Sequence, residues 1–131
     1  MLRLEDKLEQ LREFLADQSI VEAAWIFGSY GTDAQNEDSD IDIALLLGRE
    51  TMLDEQLQLE SDICQVLRTD RVDVVILNNA TIFMKRSVFV SGKLLYERAA
   101  DVESSFFESV MKYYPDAAIY RRKFDAEYFA V

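Results

Sequence analysis

Leu4, Leu8, Leu11 and Leu15 recur at helical spacing with polar residues between them, which predicts an amphipathic helix over residues 3–17. Val21–Phe27 is apolar and partly β-branched up to Gly28, the pattern of a buried strand. The polar run from Tyr30 to Ser39 reads as a loop, and Ile41–Leu47 as a second apolar strand. Thr51 with Asp54 three residues on resembles a helix capping box. Leu59, Ile63, Val66 and Leu67 then mark the inner face of a helix reaching about Arg68. Val72–Leu77 predicts a third strand, closed by Asn78 and Asn79. Residues 80–90 read as helix, and Lys93–Tyr96 as a short edge strand after Gly92.

From Ala99 to about residue 130 the pattern is helical again, with a break expected before Pro115, because proline disfavours helix at the preceding Tyr114. Tyr120, Phe124 and Tyr128 form an aromatic stripe at helical spacing, which suits a core face or a docking face. The alternation predicts an α/β (α+β) domain: a small mixed sheet of three to four strands flanked by helices, with a helical C-terminal tail. At 131 residues the chain has room for a single domain.

Composition narrows the chemistry. The formal net charge of −11 disfavours phosphate backbones, so no direct nucleic-acid partner is expected; a basic protein or a metal-bound nucleotide fits better. The same acid excess also serves solubility. Cys64 is the sole cysteine, which favours a reducing cytoplasm, and no apolar run is long enough for a membrane span. With no histidine, a Ser-His-Asp triad and a His-ligated zinc are both excluded. Any acid–base or metal chemistry must run on carboxylates.

The informative constellation is Gly28-Ser29, then ten residues, then Asp40-Ile41-Asp42, then Asp73 on a separate strand. Residues two apart in a strand point to the same side, roughly 7 Å apart, so Asp40 and Asp42 can converge on one hard cation. Mg²⁺ takes oxygen ligands of this kind, usually one or two carboxylates completed by phosphate and water. Acids at the head of apolar strands are costly to desolvate unless paired, although a solvated strand end accommodates them too. If the Asp73 strand neighbours the first, three carboxylates can hold one or two Mg²⁺ ions for in-line displacement at phosphorus. Gly28 allows close approach of backbone to phosphate, and Ser29 adds a hydroxyl and an amide donor.

This motif resembles the DNA polymerase β-type nucleotidyltransferase superfamily over about residues 20–97, and the chain's length resembles the minimal nucleotidyltransferases within it. Those are the antitoxin partners (MntA type) of HEPN-domain toxins (HepT type). The resemblance implies that Gly28 and Ser29 bind the triphosphate, that Asp40 and Asp42 hold Mg²⁺, and that Asp73 completes a second metal site. Asp73 is also the candidate base, while Lys85, Arg86 and Lys93 are either phosphate contacts or solvated surface residues. Many relatives carry Ala-Arg-Gly just after the Gly-Ser pair; Tyr30-Gly31-Thr32-Asp33 stands here instead.

The resemblance further implies ATP as donor and a tyrosine of a small helical HEPN-type toxin as acceptor, in a hetero-oligomer, the added AMP neutralising the toxin. Three other readings stay open: a binding-only antitoxin, a nucleotidyltransferase acting on a small-molecule hydroxyl, and a polymerase acting on RNA, which the net charge of −11 disfavours.

Overall fold

In the computed structural model residues 4–27 and 40–128 are described. Four strands form one mixed sheet: β1 (Val21–Phe27), β2 (Ile41–Leu47), β3 (Val72–Ile76) and β4 (Lys93–Glu97). Their order across the sheet is β3-β2-β1-β4. β1 pairs antiparallel with both β2 and β4, whereas β2 and β3 run parallel. A parallel pair needs a crossover, and the helix between β2 and β3 provides it.

Alternation along the strands divides the side chains between two cores. On one face, Val21, Ala24, Ile26, Ile43, Leu45, Leu47, Val72 and Leu95 meet α1 (Leu4–Asp17) and α2 (Leu53–Leu67). Leu11, Leu15, Ile63 and Leu67 from these helices are fully buried there. Burying a side chain of that size contributes roughly 1.5–3 kcal/mol. The other face carries Ala23, Trp25 and Ala44 against Leu77 and α3 (Ile82–Ser91), with Phe106 of α4 (Val102–Tyr128) packed alongside. β2 is therefore covered on both sides, which is why its sequence is a continuous apolar run and not an alternating one.

Trp25 anchors the second core. Its ring packs edge-on to Phe89 at 5.8 Å and tilted against Phe106 at 5.7 Å between centroids. Its indole Nε1–H donates to Glu103 Oε2 at 2.7 Å, which satisfies the polar end of a side chain only 1% exposed.

Two expectations need correction. α2 is capped at Met52, not Thr51: the Met52 N–H donates to Glu55 Oε1 at 3.1 Å, while the Thr51 hydroxyl accepts from Gln56 Nε2 at 2.8 Å. Glu55 has the longer reach needed to return to the cap backbone, which Asp54 lacks. The second correction concerns Pro115, which lies inside α4 and does not end it. Proline removes one helical hydrogen bond, but contacts with α3 hold the helix on both sides of it. Tyr114 meets Phe83 at 5.8 Å, the Arg86 guanidinium sits 4.7 Å from the Tyr114 ring, and Arg121 lies 4.8 Å from the Phe83 ring. The side chains of Tyr120, Phe124 and Tyr128 lie outside the described residues. Among the described residues no helix is long and apolar enough to cross a membrane.

Candidate functional site

The acids predicted from the sequence gather at one end and on one face of the sheet. Asp42 stands opposite Asp73 in the parallel register and opposite Phe27 in the antiparallel one. Ile41, Ile43, Val72 and Val74 belong to the α1/α2 face. Alternation therefore sends Asp40, Asp42 and Asp73 to the opposite face, the one that also carries Trp25 and Phe27. β1 ends at Phe27 beside Asp42, so the chain leaves the sheet toward Gly28 and Ser29 at this same end. Gly28 and Ser29 themselves lie outside the described residues, as do residues 30–39.

The electrostatics agree with the register. Asp42 has its pKa raised above the usual 3.8, first by burial and then by the negative charges of Asp73 and Asp40. Asp40 and Asp73 are exposed, Asp42 is half-buried. The three carboxylates feel one another but are not drawn onto a single point. Among the described residues no group of three or more acids or cysteines closes into a metal-sized cluster. Mutual repulsion spreads like charges apart, and Mg²⁺ needs only one or two protein carboxylates when phosphates complete its shell. The hard-oxygen donor set fits that ion.

Of the basic candidates, Lys93 is on the wrong face. A register shift between Ala24 and Trp25 aligns Lys93 with Ile26 and Leu94 with Trp25, so Lys93 shares the α1/α2 face. Arg86 is engaged over the Tyr114 ring. Arg71 is a residue the sequence reading did not single out. Its carbonyl accepts from the Ile41 N–H at 2.9 Å, extending the β2–β3 ladder one step into the site.

A polar recess of about 610 Å³ lies elsewhere, between Gln18, Leu47, Arg49 and the start of α2. Leu47 closes β2 at the end opposite Asp42, so this space is remote from the carboxylates.

A mixed four-stranded sheet with helices on both faces, carrying acids at the heads of two parallel neighbours, has the layout of a nucleotidyl-transfer core. Residues 9–101 match the "Polymerase beta, Nucleotidyltransferase" family, and the chain belongs to it. No curated protein matches the sequence.

Solved structures with the same fold include a toxin–antitoxin with AMP-PNP, 25% identical with a TM-score of 0.79, covering 94% of this chain and 98% of that one. A tri-AMPylated Shewanella oneidensis HEPN toxin in complex with MNT antitoxin is 22% identical with a TM-score of 0.79, covering 98% of this chain and 100% of that one. The toxin–antitoxin MntA-HepT is 21% identical with a TM-score of 0.76, covering 96% and 99%.

Proposed function

We propose that this protein is an antitoxin enzyme that transfers AMP from ATP to a tyrosine hydroxyl of a cognate HEPN-type toxin and thereby neutralises it. The observation that carries the reading is the register of Asp42 against Asp73, with Asp40 on the same face, in a polymerase β-family chain. Two similar structures add to it: one holds a tri-AMPylated HEPN toxin with its antitoxin, another AMP-PNP. α4 supports a protein partner, since Phe107, Met111, Tyr113 and Ile119 along it are exposed. The lone Cys64 is in keeping with a cytoplasmic setting.

In the proposed reaction the tyrosine oxygen forms a bond to the α-phosphorus in line with the leaving group. The bond from that phosphorus to the α,β-bridging oxygen breaks, and its electron pair departs with pyrophosphate. The hydroxyl proton passes to the Asp73 carboxylate, which is exposed and so open to an incoming acceptor. Gly28 and Ser29, which follow β1 in the sequence, are assigned the triphosphate. Asp40 and Asp42, with Asp73 beside them, are assigned to Mg²⁺, which when bound supplies charge neutralisation for the phosphates. Most of the rate in such chemistry comes from positioning and electrostatics, so rigid strands are suitable supports for these acids.

The test uses a purified cognate HEPN-type toxin, Mg²⁺, and ATP labelled at either the α- or the γ-phosphate. Label from the α position, and none from the γ position, should become acid-stable on the toxin. γ-Label on the toxin would mean phosphorylation, and no label with full inhibition would mean neutralisation by contact alone.

A further inference from the structure

The two edges of the sheet are built differently. At one edge β4 is closed to further pairing. Its register slips between Ala24 and Trp25, which leaves Leu95 unmatched, and the Leu95 carbonyl accepts from Arg12 Nε at 3.0 Å. Charged Lys93 and Glu97 stand at its ends. Bulges, charges and covered peptide groups are the usual means of keeping an edge strand from taking up another chain.

β3, at the other edge, has neither bulge nor basic residue nor proline. Val72-Asp73-Val74-Val75-Ile76 pairs with β2 without a register shift, and Asp73 is its one charged residue. The Ile41 N–H donates to Arg71 O at 2.9 Å, which fixes the parity of the ladder. Residues 71, 73 and 75 turn their peptide groups toward β2, so Val72, Val74 and Ile76 direct theirs outward. Among the described residues no strand pairs with that outer edge.

Apolar side chains lie beside it. On α2, Leu59, Ile63 and Leu67 mark the buried face. Asp54, Gln58 and Asp62 flank that face on the side of α1, where they line a recess with Asp17 and Ile20. Helical periodicity puts Leu53 and Leu57 on the other flank, the side on which β3 ends the sheet. They are 70% and 55% exposed.

A second copy of this chain suits the edge badly. Full two-fold pairing of β3 with itself centres on Val74, which makes the two Asp73 residues diagonal neighbours on one face, roughly 7–8 Å apart. Asp40 and Asp42 of each copy would crowd the same place, between chains that each carry a net charge of −11.

We infer that the outer edge of β3 takes up an extended segment of the acceptor protein as a fifth strand, and that this segment carries the hydroxyl to be modified. The inference rests on the nucleotidyl-transfer reading. Asp73 joins the edge to the chemistry, since it stands on β3 itself and faces the carboxylate side. A residue opposite Asp73 on the added strand faces that side too, so a tyrosine there lays its hydroxyl among the acids. Its neighbours along the segment turn to the other face, toward Leu53 and Leu57. Main-chain hydrogen bonds then give affinity, and the alternation of side chains gives specificity. The segment this edge fits has a hydroxyl residue between apolar ones, with basic residues close by to suit the exposed Asp70 and Asp73.

Amide exchange of the isotopically labelled protein, followed residue by residue with and without the cognate HEPN-type toxin, tests the assignment. In the free protein the Val74 and Ile76 amides should exchange fast, and those of Asp73 and Val75 slowly. Toxin should slow Val74 and Ile76 and leave Lys93–Glu97 unchanged. Val74→Pro removes one outward N–H, at a position where an edge strand tolerates proline. It should weaken toxin binding about tenfold, the size of one lost interfacial hydrogen bond, whereas Val74→Ala, which keeps the N–H, should stay within about threefold. Melting temperature and calorimetric binding of Mg²⁺ and ATP check that both variants are folded, and Leu53→Lys with Leu57→Lys replaces Val74→Pro if it is not. A toxin that gains AMP without protecting β3 overturns the inference and leaves the transfer reading standing, as does wild-type toxin affinity in folded Val74→Pro. Protection that appears without toxin and grows with protein concentration overturns it in favour of a second copy. A toxin that protects β3 and is never modified overturns the transfer reading together with the inference.

Discussion

Replacing Asp42 with asparagine should make the metal-free protein more stable while removing its activity. Asp42 and Asp73 are register partners on neighbouring strands, and Asp40 is two residues away on the same face. Two unit charges about 5 Å apart repel by roughly 0.8 kcal/mol in water and about 3 kcal/mol at an effective dielectric of 20. Asp73 is exposed, so the watery end of that range applies after screening, and Asp40 adds a smaller share. The expected gain is on the order of 1 kcal/mol, or roughly 3–6 °C in melting temperature for a chain of this size.

The pH dependence has a definite sign. The pKa of Asp42 is raised in the folded state by burial and by Asp73 and Asp40. The stability its protonated form contributes is therefore fully present below the unfolded value of about 3.9 and is lost as pH rises through the folded pKa. Thermal melts in chelator from pH 4 to pH 7.5 should show wild type and Asp42→Asn nearly together at the acid end. The variant should pull ahead as pH rises, and the gap should narrow in high salt. A variant that melts at or below wild type at neutral pH would refute the proposed crowding of charge, as would a gap that ignores pH.

Two further outcomes test the frame that holds the site. Arg68 closes α2 in the left-handed region at φ 58°, so Arg68→Gly should raise the denaturation midpoint by an amount worth about 1 kcal/mol; a lower midpoint would contradict this. Trp25→Phe removes a 2.7 Å hydrogen bond to the Glu103 carboxylate and should cost about 2 kcal/mol. A double-mutant cycle with Glu103→Ala should show coupling near 1 kcal/mol or more, and strict additivity would mean the bond adds nothing.

Local pattern carried most of the fold. The leucines of α1 and the apolar runs of β1, β2 and β3 act through periodicity and burial, and the structure buries Leu8, Leu11, Leu15, Ile43 and Leu45 as expected. That Asp40 and Asp42 share one face was legible because parity along a strand is fixed, and the β2–β3 register sets Asp73 beside Asp42, although the three do not close into one cluster among the described residues. What failed depended on distant contacts. Pro115 stays within α4 because Phe83, over thirty residues earlier, packs on Tyr114. Lys93 sits on the far face because the β1–β4 register slips between Ala24 and Trp25, and no sequence pattern marks that shift. The Trp25–Glu103 bond joins residues 78 apart. Gly28 and Ser29 lie outside the described residues, and their role stands on the motif and on where β1 ends.

The central proposal is chemical, and the mass of the partner reads it most directly. The cognate HEPN-type toxin is incubated with ATP, Mg²⁺ and either the wild-type protein or Asp42→Asn, and weighed intact. With wild type the toxin should gain one or more AMP units, mapping to tyrosine, and with Asp42→Asn none. A toxin that binds the wild-type protein in the presence of Mg²⁺ and ATP, yet keeps its original mass, would contradict AMP transfer as the function.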